Sequence, residues 1–162
     1  GNGPESGRHA IRFAPGTGEL GMFQGAKSYL LENPEGQTLD TYSISAGLDY
    51  ASVGPEHAWL KDIGRVNYSW ATDQEAMSAF KDLCETEGII PAIESSHAVA
   101  GAYKAAADLQ AKGYEHPVMI INISGRGDKD MNTAGKWFGY LTDEQAKALE
   151  SNGAQGNNAD GE

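Results

Sequence analysis

Ser124 stands where an apolar run stops and a polar, glycine-containing run begins: Ile121-Asn122-Ile123-Ser124-Gly125-Arg126-Gly127-Asp128-Lys129-Asp130. Val118 to Ile123 is largely β-branched and apolar, as a buried parallel strand should be. In open α/β sheets ligands bind just outside the carboxyl ends of the strands, so the Ser124 hydroxyl is placed to face a bound small molecule. Gly125 and Gly127 allow a closer backbone approach than a Cβ would permit. From residue types alone, the loop reads either as a phosphate nest assisted by Arg126 and Lys129 or as a tight strand-to-helix turn. Two carboxylates could join it. Glu94 follows the apolar Ile89 to Ile93, where an acid is costly if buried and unpaired. It is either a site carboxylate or an acid favoured by a helix N-terminus. Asp49 follows Gly47-Leu48 in a loop, where an acid is ordinarily a turn former. The histidines His9, His57, His97 and His116 lack the spacing of a metal set.

The elements that would position these groups alternate along the chain. Leu20 to Leu31 and Thr38 to Ser45 flank Asn33-Pro34-Glu35-Gly36 and read as an extended pair around a turn. Glu56 to Ile63 reads as a short helix closed by Gly64, and Val66 to Trp70 as a strand. Thr72-Asp73-Gln74-Glu75 is a capping box. It opens a helix whose Ala76, Phe80, Leu83 and Cys84 recur at helical spacing up to Gly88. Ile89 to Ile93 reads as a short buried strand and Ala98 to Lys112 as an Ala-rich helix. The latter carries a narrow stripe of Ala98, Ala102, Ala105 and Leu109 that suits close packing on a sheet. Thr142-Asp143-Glu144-Gln145 is a second capping box, before Ala146 to Leu149. Helix, strand, helix, strand predicts βαβ units and a parallel sheet, hence an α/β fold.

Composition sets the outer limits. Lys plus Arg total 12 against 23 Asp plus Glu, a formal charge of −11, which makes nucleic acid and anionic membrane poor partners. No apolar run approaches the ~20 residues of a membrane span, and no charged-then-apolar leader opens the chain. Cys84 is the single cysteine, so no internal disulfide can form and a reducing cytoplasm is the expected compartment. It is expected to pack as a small buried hydrophobe. From Ser151 to Glu162 there is almost nothing to bury, which predicts a disordered acidic tail.

Taken whole, the Ser124 decapeptide resembles the C-terminal cofactor loop of the tryptophan synthase β chain. Two further stretches, in the same order as in that family, resemble its other blocks. One is Ser43-Ile44-Ser45-Ala46-Gly47-Leu48-Asp49-Tyr50 running into Ser52-Val53-Gly54-Pro55-Glu56-His57-Ala58. The other is Gly88-Ile89-Ile90-Pro91-Ala92-Ile93-Glu94-Ser95-Ser96-His97-Ala98. The resemblance covers roughly residues 5 to 140, and Ala134 to Gly139 looks like actinobacterial members. It implies a fold type II enzyme dependent on pyridoxal 5′-phosphate (PLP), in which residues 1–150 form the C-terminal portion of a three-layer sheet domain. The implied reaction is β-replacement, giving L-tryptophan and water from L-serine and indole. An α chain and a second β chain are the implied partners.

The resemblance also implies roles. Ser124 would hydrogen-bond the pyridine nitrogen, and Gly47 and Gly125 would lie close to the cofactor. Glu94 would sit beside the ring hydroxyl, and Asp49 would contact the amino-acid substrate. The backbone carbonyls of Tyr50 and Ser52 would help hold a monovalent cation (Na+ or K+). A neutral hydroxyl on the ring nitrogen makes a weaker electron sink than a carboxylate would, which suits β-elimination and β-replacement. Phe23 and Gln24 align with positions near the indole channel, where the family has two aromatics. The family's Schiff-base lysine lies in a His-Lys motif, and no His-Lys dipeptide occurs here. Lys27, Lys61, Lys81 and Lys104 match other positions. The phosphate loop is absent too, so the chain is expected to be a C-terminal piece, inactive alone. Two other readings stay open: a related PLP enzyme using another nucleophile, and a noncatalytic binding or assembly module derived from the fold.

Overall fold

Thr72 opens the best-defined helix of the chain. A computed structural model describes residues 1–156, and in it the Thr72 side chain accepts from the Glu75 N–H while the Glu75 carboxylate accepts from the Thr72 N–H. Both halves of the predicted capping box are therefore made. The chain order is β1 (Glu19–Phe23), β2 (Ala26–Leu30), α1 (Pro55–Asp62), α2 (Asp73–Glu87), α3 (Ile93–Ala111), α4 (Met131–Trp137) and α5 (Asp143–Gly156). Short 3-10 turns span Ala46–Leu48 and Asp128–Asp130. Thr142 and Gln145 form the second capping interaction, at the start of α5. That helix continues to Gly156, past the Ser151 at which the composition predicts a tail; residues 157–162 lie outside the described residues.

Two packed clusters organise the helices. Ala79 on α2 meets Val99 and Ala100 on α3, with Leu83 and Ile123 against them. Met77 and Phe80 on α2 meet Ile93 on α3 and Ala134 on α4, with Ile44, Cys84 and Phe138 alongside. This second cluster pins three separate segments, those around Ile44, Ile93 and Ala134. Full burial of the larger side chains, Met77, Phe80, Ile93 and Val99, stabilises by about 1.5–3 kcal/mol each. Cys84 is half-buried there, as a small hydrophobe, and burial pushes its thiol pKa up, helped by Glu85.

The strands depart from expectation. The structure is mixed α/β, with one two-stranded antiparallel sheet, β1 on β2, among the described residues. The stretch Leu20 to Leu31, expected to be continuous, is folded back on itself at Gln24-Gly25. Both residues have positive φ, +48° and +80°, which is the hairpin turn whose twist matches its strands. The expected turn at Asn33 to Gly36 is also present, with the Gly36 N–H donating to the Asn33 carbonyl. Only a single bridge, Glu32 to Thr38, extends it. Val66 to Trp70 and Val118 to Ile123 have no ladder partner among the described residues and are not strands. Hydrogen-bonded neighbours, not apolar sequence, make a strand. Val118 and Ile120 are accordingly 94% and 97% exposed. Ile89 to Ile93 is likewise no strand. Ile89 and Ile90 are half-exposed, a single bridge joins Pro91 to Arg126, and α3 begins at Ile93, five residues earlier than expected.

No helix among the described residues is long and apolar enough to cross a membrane.

Candidate functional site

Three segments meet at the N-terminus of α3. The first is α3 itself. Glu94 sits in its first turn, where a carboxylate complements the helix dipole. The second is the Ser45 to Asp49 turn, anchored by Ile44 in the core. The third is the Ser124 to Asp130 loop, anchored by Ala134 just beyond it. The core cluster described above thus fixes all three segments that carry polar groups.

The loop docks on α3 through its backbone. The Ala92 N–H donates to the Gly125 carbonyl at 2.8 Å, and the Gly127 N–H to the Ile90 carbonyl at 2.9 Å. A Cβ on Gly127 would lie 2.1 Å from the Pro91 carbonyl oxygen, so only glycine fits. The Ser95 hydroxyl accepts from the Gly125 N–H at 3.1 Å and lies 3.4 Å from the Ser124 hydroxyl. Asp130 is buried and its Oδ2 accepts the Ile93 N–H at 2.9 Å, capping α3 from outside the helix. This cap explains why α3 starts at Ile93.

Glu94 is held at both oxygens. Oε1 accepts the Gly47 N–H at 2.9 Å, and Oε2 accepts the Lys129 ammonium at 2.9 Å. Lys129 also donates to both Asp130 oxygens, at 2.8 and 2.9 Å. Partial burial of Glu94 raises its pKa, but the Lys129 bond and backbone N–H groups outweigh this and hold the carboxyl at about 2. Burial lowers the Lys129 pKa, while Asp130 and Glu94 more than compensate and raise it. At neutral pH Glu94 is an engaged anion and Lys129 an engaged cation, so Lys129 is no free amine nucleophile. A Cβ on Gly47 would lie 2.6 Å from Oε1 of Glu94. Glycine here lets Glu94 approach the backbone closely; a Cβ would push that side chain aside.

Beside this cluster lies a cleft of about 630 Å³, whose walls include Leu48, Glu94, His97, Arg12, His57 and Trp70. His97 Nδ1 lies 2.8 Å from the Ile93 carbonyl, which as an acceptor requires Nδ1 to carry the proton. Burial pulls the His97 pKa down, leaving a neutral ring on the cleft wall at pH 7. The Ser45 hydroxyl leans on Glu94 and helps to lower its pKa, while Asp49 Oδ1, buried near the cluster, has no protein partner. Such an orphan is unusual in a folded chain.

The structure brings together Glu94 and Gly47, and it places the Gly125 loop on α3 with Ser124 beside Ser95. Asp49 ends the 3-10 turn, adjacent to the cluster. The Tyr50 carbonyl accepts a bond from Arg12 at 2.6 Å, and Ser52 bridges Leu30. Arg126 pairs with Asp128, and Lys129 with Glu94 and Asp130, so both cations are engaged within the loop and its helix. Phe23 and Gln24 sit at the hairpin turn. Sequence reasoning missed Ser95, Asp130 as a helix cap, and Arg12. Ser95 lay inside a recognised block, and Asp130 stands in the same polar run as Lys129. Arg12 had no local signal, because its partner lies 38 residues away. Among the described residues, no group of three His, Cys, Asp or Glu side chains could hold a metal ion.

A glycine-shaped loop docked on a helix N-terminus, an engaged carboxylate and an unpartnered Asp49 oxygen make this cluster the candidate site of a mixed α/β protein. The particular relatives are tryptophan synthase β chains. That of Mycobacterium tuberculosis is 59% identical over 141 residues, covering 87% of this chain and 32% of the relative. That of Mycobacterium leprae is 56% identical over 142 residues, and that of Streptomyces coelicolor 49% identical over 154 residues, or 95% of this chain. The resemblance carried by the three motif blocks is thus matched along nearly the whole sequence. The chain spans about a third of the length of these curated relatives. No family model matches it.

Proposed function

We propose that this chain supplies the cofactor-facing C-terminal part of a PLP-dependent tryptophan synthase β chain, which makes L-tryptophan and water from L-serine and indole. The observation that carries the reading is the 59% identity extending through all three segments that meet at α3. The residues present suit the group. Asp49 Oδ1 is a buried acceptor without a partner, and Gly47 leaves room that a Cβ would fill. Bound PLP supplies the electron sink for β-replacement. On this chain, Ser124 would hold the ring nitrogen, and Glu94, held ionised, would accept from the ring hydroxyl. Asp49 orients the amino-acid substrate, and Gly47 and Gly125 let the backbone approach. The lysine that would anchor PLP and the loop that would grip its phosphate lie outside this sequence. An α chain and a second β chain are the partners, and the compartment is the cytoplasm.

The test is Ser124→Asp in the protein that also carries the lysine-bearing part. A carboxylate would hold the ring nitrogen protonated, strengthen the sink and shift turnover from β-replacement toward side reactions. The measurement is cofactor absorbance during serine turnover together with tryptophan formation. Wild-type values for both would refute the Ser124 assignment. The chain alone should give no stoichiometric borohydride-trapped PLP adduct on a single lysine.

A further inference from the structure

Arg12 is a site-adjacent cation that neither the sequence nor the reading above uses. It is half-buried and lines the cleft. Its Nη1 donates to two backbone carbonyls, those of Ala10 and Tyr50, the latter at 2.6 Å. No carboxylate pairs with it among the described residues. Its charge is met by carbonyl dipoles alone, as that of a small monovalent cation would be. Burial pulls its pKa down from the ordinary value, yet an arginine remains charged at any ordinary pH. The Tyr50 carbonyl is one of the two assigned to a bound Na+ or K+, and the structure gives it to Arg12 instead.

We propose that the Arg12 guanidinium is a built-in cation, holding the Ala10 and Tyr50 carbonyls together in place of a bound monovalent ion. The geometry favours this over an ion held alongside. A carbonyl oxygen that accepts a charged donor at 2.6 Å faces that donor, and a second positive charge at the same oxygen would be repelled by it. The fixed guanidinium ties the Ala10 segment to the turn that carries Asp49 and Gly47, without recourse to an ion from solution. Arg12 is on this view a positioning residue. The proposal takes from the functional reading only the expectation that a cation belongs at Tyr50.

The experiment is equilibrium dialysis of the full chain against radiolabelled sodium or thallous ion, with tetramethylammonium chloride holding ionic strength constant. The wild type should bind neither ion stoichiometrically. Arg12→Met, which keeps the apolar stem and removes the charge, should gain one equivalent, displaceable by K+ and not by tetramethylammonium. Arg12→Lys, which keeps a charge, should gain none. Stoichiometric binding by the wild type overturns the proposal, as does failure of a folded Arg12→Met to gain a site. Should that variant not fold, wild-type nitrogen NMR decides. The Arg12 guanidinium protons should stay protected from solvent and unmoved by thallous ion, and loss of protection on adding it refutes the assignment. None of these outcomes bears on PLP chemistry, so the functional reading stands or falls separately on the Ser124→Asp test.

Discussion

Replacing Gly47 by Ala tests the centre of the site with a single methyl group. The added Cβ would lie 2.6 Å from Oε1, 2.9 Å from Cγ and 3.1 Å from Cδ of Glu94. The first two are closer than Cβ contacts allow and the third is tight, so the Glu94 side chain must swing away and lose the Gly47 N–H. A hydrogen bond to a charged group contributes about 1.5–3 kcal/mol, and partial exposure of Glu94 brings the expected loss to about 1 kcal/mol. At 1.36 kcal/mol per pKa unit, the Glu94 pKa should rise from about 2 by somewhat less than one unit. The sign for stability follows. The folded pKa lies below the ordinary 4.5, so the Glu94 contribution is fully present above pH ~4.5 and is lost as pH falls toward 2. Gly47→Ala should therefore lower stability at neutral pH by about 1 kcal/mol and flatten its decline between pH ~4.5 and ~2. Carboxyl NMR titration of Glu94 and denaturant unfolding across that range measure both. The Glu94→Gln background should abolish the pH-dependent part of the difference. An unchanged Glu94 pKa in a folded Gly47→Ala variant would show that the turn and the helix do not meet through this carboxylate.

Asp130→Ala removes the cap on Ile93 and one partner of Lys129. It should cost about 1–2 kcal/mol and fray the first turn of α3, seen in amide exchange at Ile93 and Glu94. Thr72→Ala breaks the capping box of α2 at a cost of about 1 kcal/mol, read as a lower urea midpoint with an unchanged slope. Ile120→Lys puts a charge in the middle of an exposed apolar segment and should reduce concentration-dependent self-association in analytical ultracentrifugation, with helix content retained.

Helices were legible in the sequence because their signals are local. Thr72 with Glu75, and Thr142 with Gln145, announce their own helix starts three residues ahead. The start of α3 was misplaced because its cap, Asp130, lies 37 residues downstream and the helix itself holds no capping side chain. Strands failed for the complementary reason. Val118 to Ile123 has the composition of a buried strand, but a strand also needs a neighbour, and composition says nothing about whether one is at hand. The hairpin at Gln24-Gly25 was missed because glutamine rarely takes positive φ, so the dipeptide lacks the usual Asn-Gly signature. Within the site, Glu94, Gly47 and Gly125 were found through motif blocks, while the reason for Gly47, a carboxylate 47 residues away, was visible only in three dimensions.

Lys129 and Asp130 each grip the first turn of α3 with a side chain, Lys129 at the Glu94 carboxylate and Asp130 at the Ile93 N–H. Because the ammonium also bridges to the capping carboxylate, Ile93, Asp130, Lys129 and Glu94 form a continuous chain of charge-assisted bonds. Links arranged in this way strengthen one another and tend to fail together. The loop should accordingly leave α3 in a single step, with one escape rate for backbone and side chain alike. Solvent exchange at the Ile93 amide then becomes a clock for the departure of Lys129 from Glu94, readable without a label on either side chain.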